Sequence, residues 1–272
     1  MQYITKTDLS NGPQLGSQMS QYAGLYATSK KLDNEIVFLK EHLNDFRKVK
    51  LFDAFNINDR IINKSDIEYC TYEIKNIAID KNVFDLDKNV NWNISGWYHL
   101  YHYWNEYRDD IKNIFSFKKC IYDTAKSNMD KIRNQENYPV VGIHFRRGDY
   151  LQVSSLNLDL DYYNDAISIF LQKFNYFKLL VFSDDIDWCK NTIIGENVYY
   201  SENNTNYVDM CMMTICDHLI IANSSFSWWG AYLNDNENKM IVCPEDYIGS
   251  SDIYHQFINK NYYPKDWIAL KI

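Results

Sequence analysis

Hydrophobic positions change their spacing several times along this chain, and each change predicts an element. Near the N-terminus, Tyr3 and Ile4 read as the end of a short strand. Met19, Tyr22, Ala23, Tyr26 and Ala27 then fall at i, i+3, i+4, i+7 and i+8, the single apolar stripe of a helix. The loop between them holds Asn11, Gly12, Pro13, Gly16 and Ser17. Glycines there would let backbone N–H groups approach an anion, but neither GxGxxG nor a Walker lysine is present, and a plain strand–loop–helix unit is the commoner explanation. Residues 36–39 predict a second strand. From 42 to about 88 the chain is rich in Asn, Asp and Lys with short apolar runs, and no order of elements follows. Residues 92–107 are densely aromatic; His99 and His102 lie three apart, with no carboxylate or third His to complete a metal site. Residues 108–134 predict one long helix or two. The polar run 134–138 reads as a hinge, and the domain boundary is expected there.

Beyond that hinge the pattern becomes regular. Residues 140–145 are apolar and β-branched, bounded by Pro139, and run into His144, Arg146, Arg147, Gly148 and Asp149. A helix follows over 161–174, with Tyr162, Ala166, Ile169 and Phe170 on one face and Asp159 or Asp161 as its cap. A strand over 178–182 delivers Ser183, Asp184 and Asp185. A short helix around Trp188, a strand over 198–200 and an apolar helix over 208–216 come next. His218 starts a strand that reaches 222 and ends in Asn223, Ser224, Ser225, Phe226, Ser227, Trp228 and Trp229. A last strand covers 240–243. Strands alternating with helices call for a parallel, doubly wound α/β sheet. Its polar strand ends should open onto one edge, where such sheets hold ligands.

Charge sharpens this picture. Of 28 Lys plus Arg, only six are arginines, and two of them are the adjacent Arg146 and Arg147. A pair of arginines after an apolar strand points to the planar guanidinium fork that matches phosphate or carboxylate oxygens; an ion pair with Asp149 is an equally open reading. The net charge of −8 argues against a nucleic-acid partner, so a phosphorylated ligand would need a few placed cations. At 272 residues, 46% hydrophobic and 24% charged, the chain is globular, with room for one large domain or two small ones. Its 23 Tyr and 7 Trp suit sugar-lined clefts as well as ordinary cores. The six cysteines show no CxxC, reading as reduced thiols of a cytosolic protein. No signal-peptide pattern or membrane-spanning run is present, so a cytoplasmic location is expected.

Two other readings need weighing. Asp159-Leu160-Asp161 fits a DxD metal motif, but so do Asp85-Leu86-Asp87 and Asp185-Ile186-Asp187, which makes the match cheap in an Asp-rich chain. No metal is expected. The Trp228–Trp229 pair would suit a non-catalytic carbohydrate-binding module, although a lectin has no use for strand-end arginines aimed at an anion.

Three strand ends, HFRRGDY, FSDD and IIANSSFSWWGAYL, resemble the bacterial α-1,2-fucosyltransferases of glycosyltransferase family 11, whose arginine motif is shared with α-1,6- and protein O-fucosyltransferases. The segment NGPQLGSQMSQYAGLYA is similar to the family's GGLGNQMFQYA loop and helix, with Ser17 in place of Asn, Ser20 in place of Phe and extra residues between Gly12 and Gly16. The resemblance covers the first thirty residues and most of 139–244, in the same order; 42–135 matches nothing.

It implies a GT-B fold, two Rossmann-like domains facing across a cleft. Residues 1–137 would form the acceptor side and 138–250 the GDP-sugar-binding domain, with 251–272 packing back on the first. It further implies inverting transfer of L-fucose from GDP-β-L-fucose to O2 of a terminal galactose, with no metal or other cofactor. By position, Arg146 or Arg147 would hold the donor diphosphate, and Arg147→Lys would remove most turnover. His144 and Asp209 would meet guanine, and Asp184 the nucleoside. Asn223, Ser224, Ser225 and Phe226 would line the pyrophosphate and fucose. Gly16, Gln18 and Gln21 fall on the acceptor side, as does the aromatic wall at 92–107. Asp149 is the nearest carboxylate for a base, though orienting the arginines is the better reading; Asp8 and Glu35 are weaker candidates. The same fold would also serve another GDP-deoxysugar. An acceptor on a lipid carrier implies peripheral contact with the inner face of the membrane.

Overall fold

The computed structural model describes residues 2–11, 14–43, 49–75, 79–247 and 253–271, and these divide into two units after Ser116. In the first, β1 (Tyr3–Thr5) leads to α1 (Leu15–Leu32), β2 (Glu35–Leu39), α2 (Lys40–Leu43), α3 (Leu51–Ala54), β3 (Arg60–Ile62), β4 (Cys70–Ile74), β5 (Trp92–Gly96) and α4 (Arg108–Ile114). Among the described residues its sheet has the order β3-β2-β1-β5-β4, every pair parallel. The stripe of α1 is buried as its spacing requires, with Met19, Tyr22, Ala23 and Ala27 in the core. The helix begins early, so Gly16 and Ser17 lie in its first turn; Gly12 and Pro13 fall outside the described residues. Gly24 lets α1 approach the buried Tyr98, since a Cβ there would stand 2.1 Å from the ring. The two edge strands, β3 and β4, came from the stretch without a readable pattern. Their side chains are mostly exposed, so no apolar alternation marks them.

The second unit begins with α5 (Lys119–Arg133) and β6 (Val140–Phe145), then α6 (Leu160–Lys173), β7 (Lys178–Ser183), α7 (Ile186–Thr192) and β8 (Val198–Tyr200). It continues with α8 (Asn206–Thr214), β9 (His218–Ile220), α9 (Ser225–Tyr232), β10 (Ile241–Pro244), α10 (Ile253–Tyr262) and β11 (Ile268–Leu270). The strand order is β11-β10-β9-β6-β7-β8, again parallel throughout. β6 is central, buried along its whole length, and therefore reads as one continuous apolar run. Its pleat sends Val141, Ile143 and Phe145 into the cluster formed with Tyr162, Tyr163 and Phe170 of α6. Burying each such side chain contributes about 1.5–3 kcal/mol. Gly142 and His144 point the other way. The bare Cα of Gly142 admits Leu219 and Cys216, and His144 meets Phe226 of α9.

Two expectations about boundaries change. The break falls after Ser116 and not at 137/138, because α5 packs on α8 and its end is tied into the second unit. Arg133 Nη2 donates to Ile215 O and Asp217 Oδ1, while Lys178 Nζ donates to Ile132 O and Arg133 O. The polar run at 134–138 is only the turn out of α5, entered by Asn134 with φ 45°. The C-terminal segment, expected on the first unit, instead gives the second sheet its edge strand β11, and Tyr262 O accepts from Trp228 Nε1.

Candidate active site

β6 and β7 run side by side with Phe145 opposite Ser183, so the residues that follow meet at the carboxyl edge of the sheet. Arg146 Nη1 donates to Asp184 Oδ2 at 2.6 Å and Nη2 donates to Asp149 Oδ1, with the guanidinium 5.1 Å from the Tyr150 ring. Arg147 donates its backbone N–H to Asp184 Oδ1 at 2.9 Å and its Nε to Asp185 Oδ2 at 3.1 Å. Its guanidinium lies 3.6 Å over the ring of Trp188 on α7. The strand's alternation thus separates the pair: Arg146 goes to the side of His144, Arg147 to the side of α7. Gly148 makes this possible, because a Cβ there would stand 2.6 Å from Asp184 Oδ2.

Asp184 accepts from both arginines and acts as a strut between them. Asp185 has two tasks, since its other oxygen caps α7 by accepting from Trp188 N. Asp149 is 65% exposed and ion-paired to Arg146, which fits an orienting role.

Around Arg146 the edge is polar. His144 is buried, its ring 5.5 Å from Phe226, and its Nδ1 has no hydrogen-bond partner among the described residues. Burial, and next the Arg146 charge, pull its pKa down to about 3, so the imidazole is neutral. Asn223 donates Nδ2 to Leu156 O and Tyr247 O, while its buried Oδ1 has no partner among the described residues. Tyr150 donates its hydroxyl to Asn223 O at 3.2 Å. Ser224 caps α9 by accepting from Phe226 N, and Ser225 opens the helix. One guanidinium, one helix N-terminus and two orphaned buried atoms therefore share this edge. An unsatisfied buried polar atom costs about 1–3 kcal/mol, so the arrangement suits a polar, anionic ligand.

Asp209 lies in the first turn of α8, accepting from Ser201 Oγ at 2.6 Å; burial raises its pKa to about 6. Ser201 follows β8, two strands along from β6.

The three residues expected on the acceptor side all lie on α1 of the first unit. Gly16 is buried, Gln18 Oε1 accepts from Lys50 N at 2.7 Å, and Gln21 grips Tyr98, accepting from its N and donating to its O. Glu35 starts β2 and so lies at the amino edge of the first sheet. Asp8 follows β1 at the carboxyl edge, ion-paired with Lys6 at 2.8 Å. Trp228 and Trp229 are buried, the first stacked on Tyr232 at 4.7 Å, so they form core and no sugar-stacking surface. Asp159 caps α6 through Tyr162 N, and no group of three His, Cys, Asp or Glu gathers as a metal site among the described residues. Tyr150 and Trp188, which flank the arginines, carried no signal in the sequence because their contacts are tertiary.

The sequence model of glycosyl transferase family 11 matches residues 2–271. The chain belongs to glycosyltransferase family 11. This family 11 chain is 31% identical to an alpha-1,2-colitosyltransferase of Escherichia coli, over 85% of its own length and 88% of that protein. It is 23% identical to galactoside alpha-(1,2)-fucosyltransferase 2 of Mus musculus, over 80% of this chain and 65% of that one. Among solved structures it matches the alpha-1,6-fucosyltransferase NodZ, from Bradyrhizobium, co-crystallized with GDP: TM-score 0.57, 9% identity, covering 85% and 91% of the two chains. That likeness establishes the fold of the family 11 chain as α/β with two parallel sheets of GT-B type. No helix among its described residues is long and apolar enough to cross a membrane.

Proposed function

We propose that this family 11 glycosyltransferase carries L-fucose from GDP-β-L-fucose to O2 of a galactose-ended glycan, with inversion and without a metal. The observation that carries the reading is Arg146, held beside His144, Asn223 and the N-terminus of α9 at one sheet edge. In the reaction the bond from the anomeric carbon to the β-phosphate oxygen breaks and its electron pair leaves with GDP. The acceptor oxygen bonds to the opposite face of the carbon, and its proton passes to water.

Negative charge grows on the departing diphosphate while the sugar becomes oxocarbenium-like. Arg146, aimed by Asp184 and Asp149, would stabilise that charge together with the N–H groups opening α9; each charge-assisted bond contributes about 1.5–3 kcal/mol. Asp149 carries an anion on Arg146 that the diphosphate would displace or share. Neutral His144 would hydrogen-bond the nucleotide through its orphaned Nδ1, and Asn223 Oδ1 would accept from a donor hydroxyl. Asp209, on the same edge, is the carboxylate suited to the N–H groups of guanine. Arg147, stacked on Trp188, would brace the strut.

The colitosyltransferase relative favours a second reading, the same chemistry with another GDP-deoxysugar. Calorimetry with GDP tests the nucleotide site, and product analysis with GDP-fucose and GDP-colitose in turn, with and without EDTA, tests donor and metal. Absence of GDP binding defeats both readings; activity lost in EDTA and restored by Mn²⁺ defeats the metal-free one.

A further inference from the structure

Asn223 follows β9 and is 2% exposed. Its Nδ2 donates to Leu156 O at 3.0 Å, in the loop after β6, and to Tyr247 O at 3.1 Å, in the loop after β10. Two carbonyls on that nitrogen fix which way the carboxamide points, because a flipped amide would set oxygen against oxygen. Its own carbonyl accepts from the Tyr150 hydroxyl at 3.2 Å. Three strand ends of the second sheet, those of β6, β9 and β10, are therefore fastened at one residue. Ser224, the cap of α9, comes next in the chain.

Tyr150 is the member of this knot that meets the cation. It lies in the short helical turn Gly148–Gln152, with its ring 5.1 Å from the Arg146 guanidinium. Its hydroxyl also adjoins that of Tyr247, whose ring stacks on Tyr262 of α10 at 3.8 Å and 20°. Tyr247 is held in turn from α10, its backbone N donating to Asn259 Oδ1 at 2.9 Å. Burial, first of all, raises the Tyr150 pKa above the ordinary phenol value, so the hydroxyl keeps its proton and stays a donor through the neutral range.

We propose that Tyr150 is the positioning residue that holds the Arg146 guanidinium in register with the N-terminus of α9. Its ring faces the guanidinium, and its hydroxyl ties the same loop to the residue before the α9 cap. Asp184 and Asp149 aim Arg146 from the ends of β7 and β6; Tyr150 links it across to the end of β9. The inference rests on the proposed function and adds to it the residue that sets the spacing between its two anion-holding parts. Charge on the departing diphosphate is greatest in the transition state, so a shift in that spacing costs more there than in the ground state. The loss should therefore fall on kcat and spare GDP affinity.

The test follows GDP released from GDP-fucose and, in parallel, from GDP-colitose by the full chain with lactose as acceptor. Calorimetry with GDP and denaturation midpoints are measured alongside. Tyr150→Phe keeps the ring and removes the hydroxyl; it is expected to lower kcat about tenfold, with GDP affinity within about twofold of wild type. Tyr150→Leu, which lacks the ring as well, should lower kcat about 100-fold. The loss in Tyr150→Phe should be uniform across about pH 6.5–8.5, since the hydroxyl only donates. An unchanged kcat in Tyr150→Phe overturns the positioning role. A loss of GDP affinity as large as the loss of kcat, or a collapsed denaturation midpoint, marks a purely structural brace and overturns it too. So does a pH profile altered by Tyr150→Phe, because the phenol would then be moving a proton. Wild-type protein that binds GDP but turns over neither donor likewise overturns it. If wild-type protein fails to bind GDP, the proposed function falls and the positioning role with it.

Discussion

The carboxyl edges of the two sheets are built from the same strand–helix units yet carry opposite chemistry. At the second, guanidiniums meet carboxylates: Arg146 lies between Asp184 and Asp149, and Arg147 between Asp185 and Trp188. Buried atoms without partners among the described residues, His144 Nδ1 and Asn223 Oδ1, lie alongside. At the first edge the charged pair, Lys6 and Asp8, is turned inward onto the backbone of Gly96, and Trp97 faces out. A parallel sheet thus provides position only. Whether its edge suits an anion depends on which side chains are consumed by the fold and which are left over.

The strongest way to break this contrast is to blunt the cation of the second edge. Arg146→Lys keeps the charge but cannot reproduce the fork, and should lower kcat about 100-fold or more. Residue order alone assigned that loss to Arg147→Lys; with Arg147 turned to α7, its lysine variant should cost only about tenfold, a packing and bracing loss. Steady-state rates with GDP-fucose decide it, and a larger loss at Arg147 would exchange the two roles.

Gly24→Ala probes the first edge alone. A Cβ 2.1 Å from the Tyr98 ring forces repacking beneath Trp97, and should cost about 1–3 kcal/mol in chemical denaturation. GDP affinity should hold, whereas an equal loss of GDP binding would show that the edges do not act separately.

A third effect depends on pH. Folded His144 titrates at about 3 against 6.5 for an ordinary histidine, so the unfolded chain takes up that proton first. This contribution to stability is therefore whole above about pH 6.5 and falls as pH drops toward 3, by at most about 1.4 kcal/mol per unit. Denaturation midpoints at pH 7.5 and 5.5 should converge in His144→Asn. A wild-type rate profile with an inflection near 6.5 that disappears in His144→Asn would contradict a neutral imidazole.

The smallest change is expected from Asp149→Asn. Because Asp149 is 65% exposed and Arg146 keeps Asp184, turnover should stay within about threefold, with an unaltered pH profile. A collapse of the rate with a shifted profile would make Asp149 the base after all.

Legibility followed burial. β6, β7 and β9 were readable to within a residue or two because they are buried on both faces and give apolar runs. The edge strands β3, β4 and β11, with exposed or half-exposed side chains, left no such trace. α9 went unread for the contrary reason: Ser227 through Tyr232 are all buried, so the helix has no polar face to set a period. Its cap, Ser224, passed for part of a polar loop.

The amino-acid order by itself determined the alternation of strands and helices in the second unit, the arginine pair beyond a buried strand, and the cap on α6. These depend on neighbours within a few residues, which any local stretch of chain contains. Only the tertiary structure decided that Arg146 and Arg147 part to opposite sides, that Gln21 works inside the fold while Trp97 stands out, and that Trp228 and Trp229 are core. Each of those outcomes turns on a partner from another strand or helix, brought near by sheet register and packing, and no run of adjacent residues encodes which partner arrives.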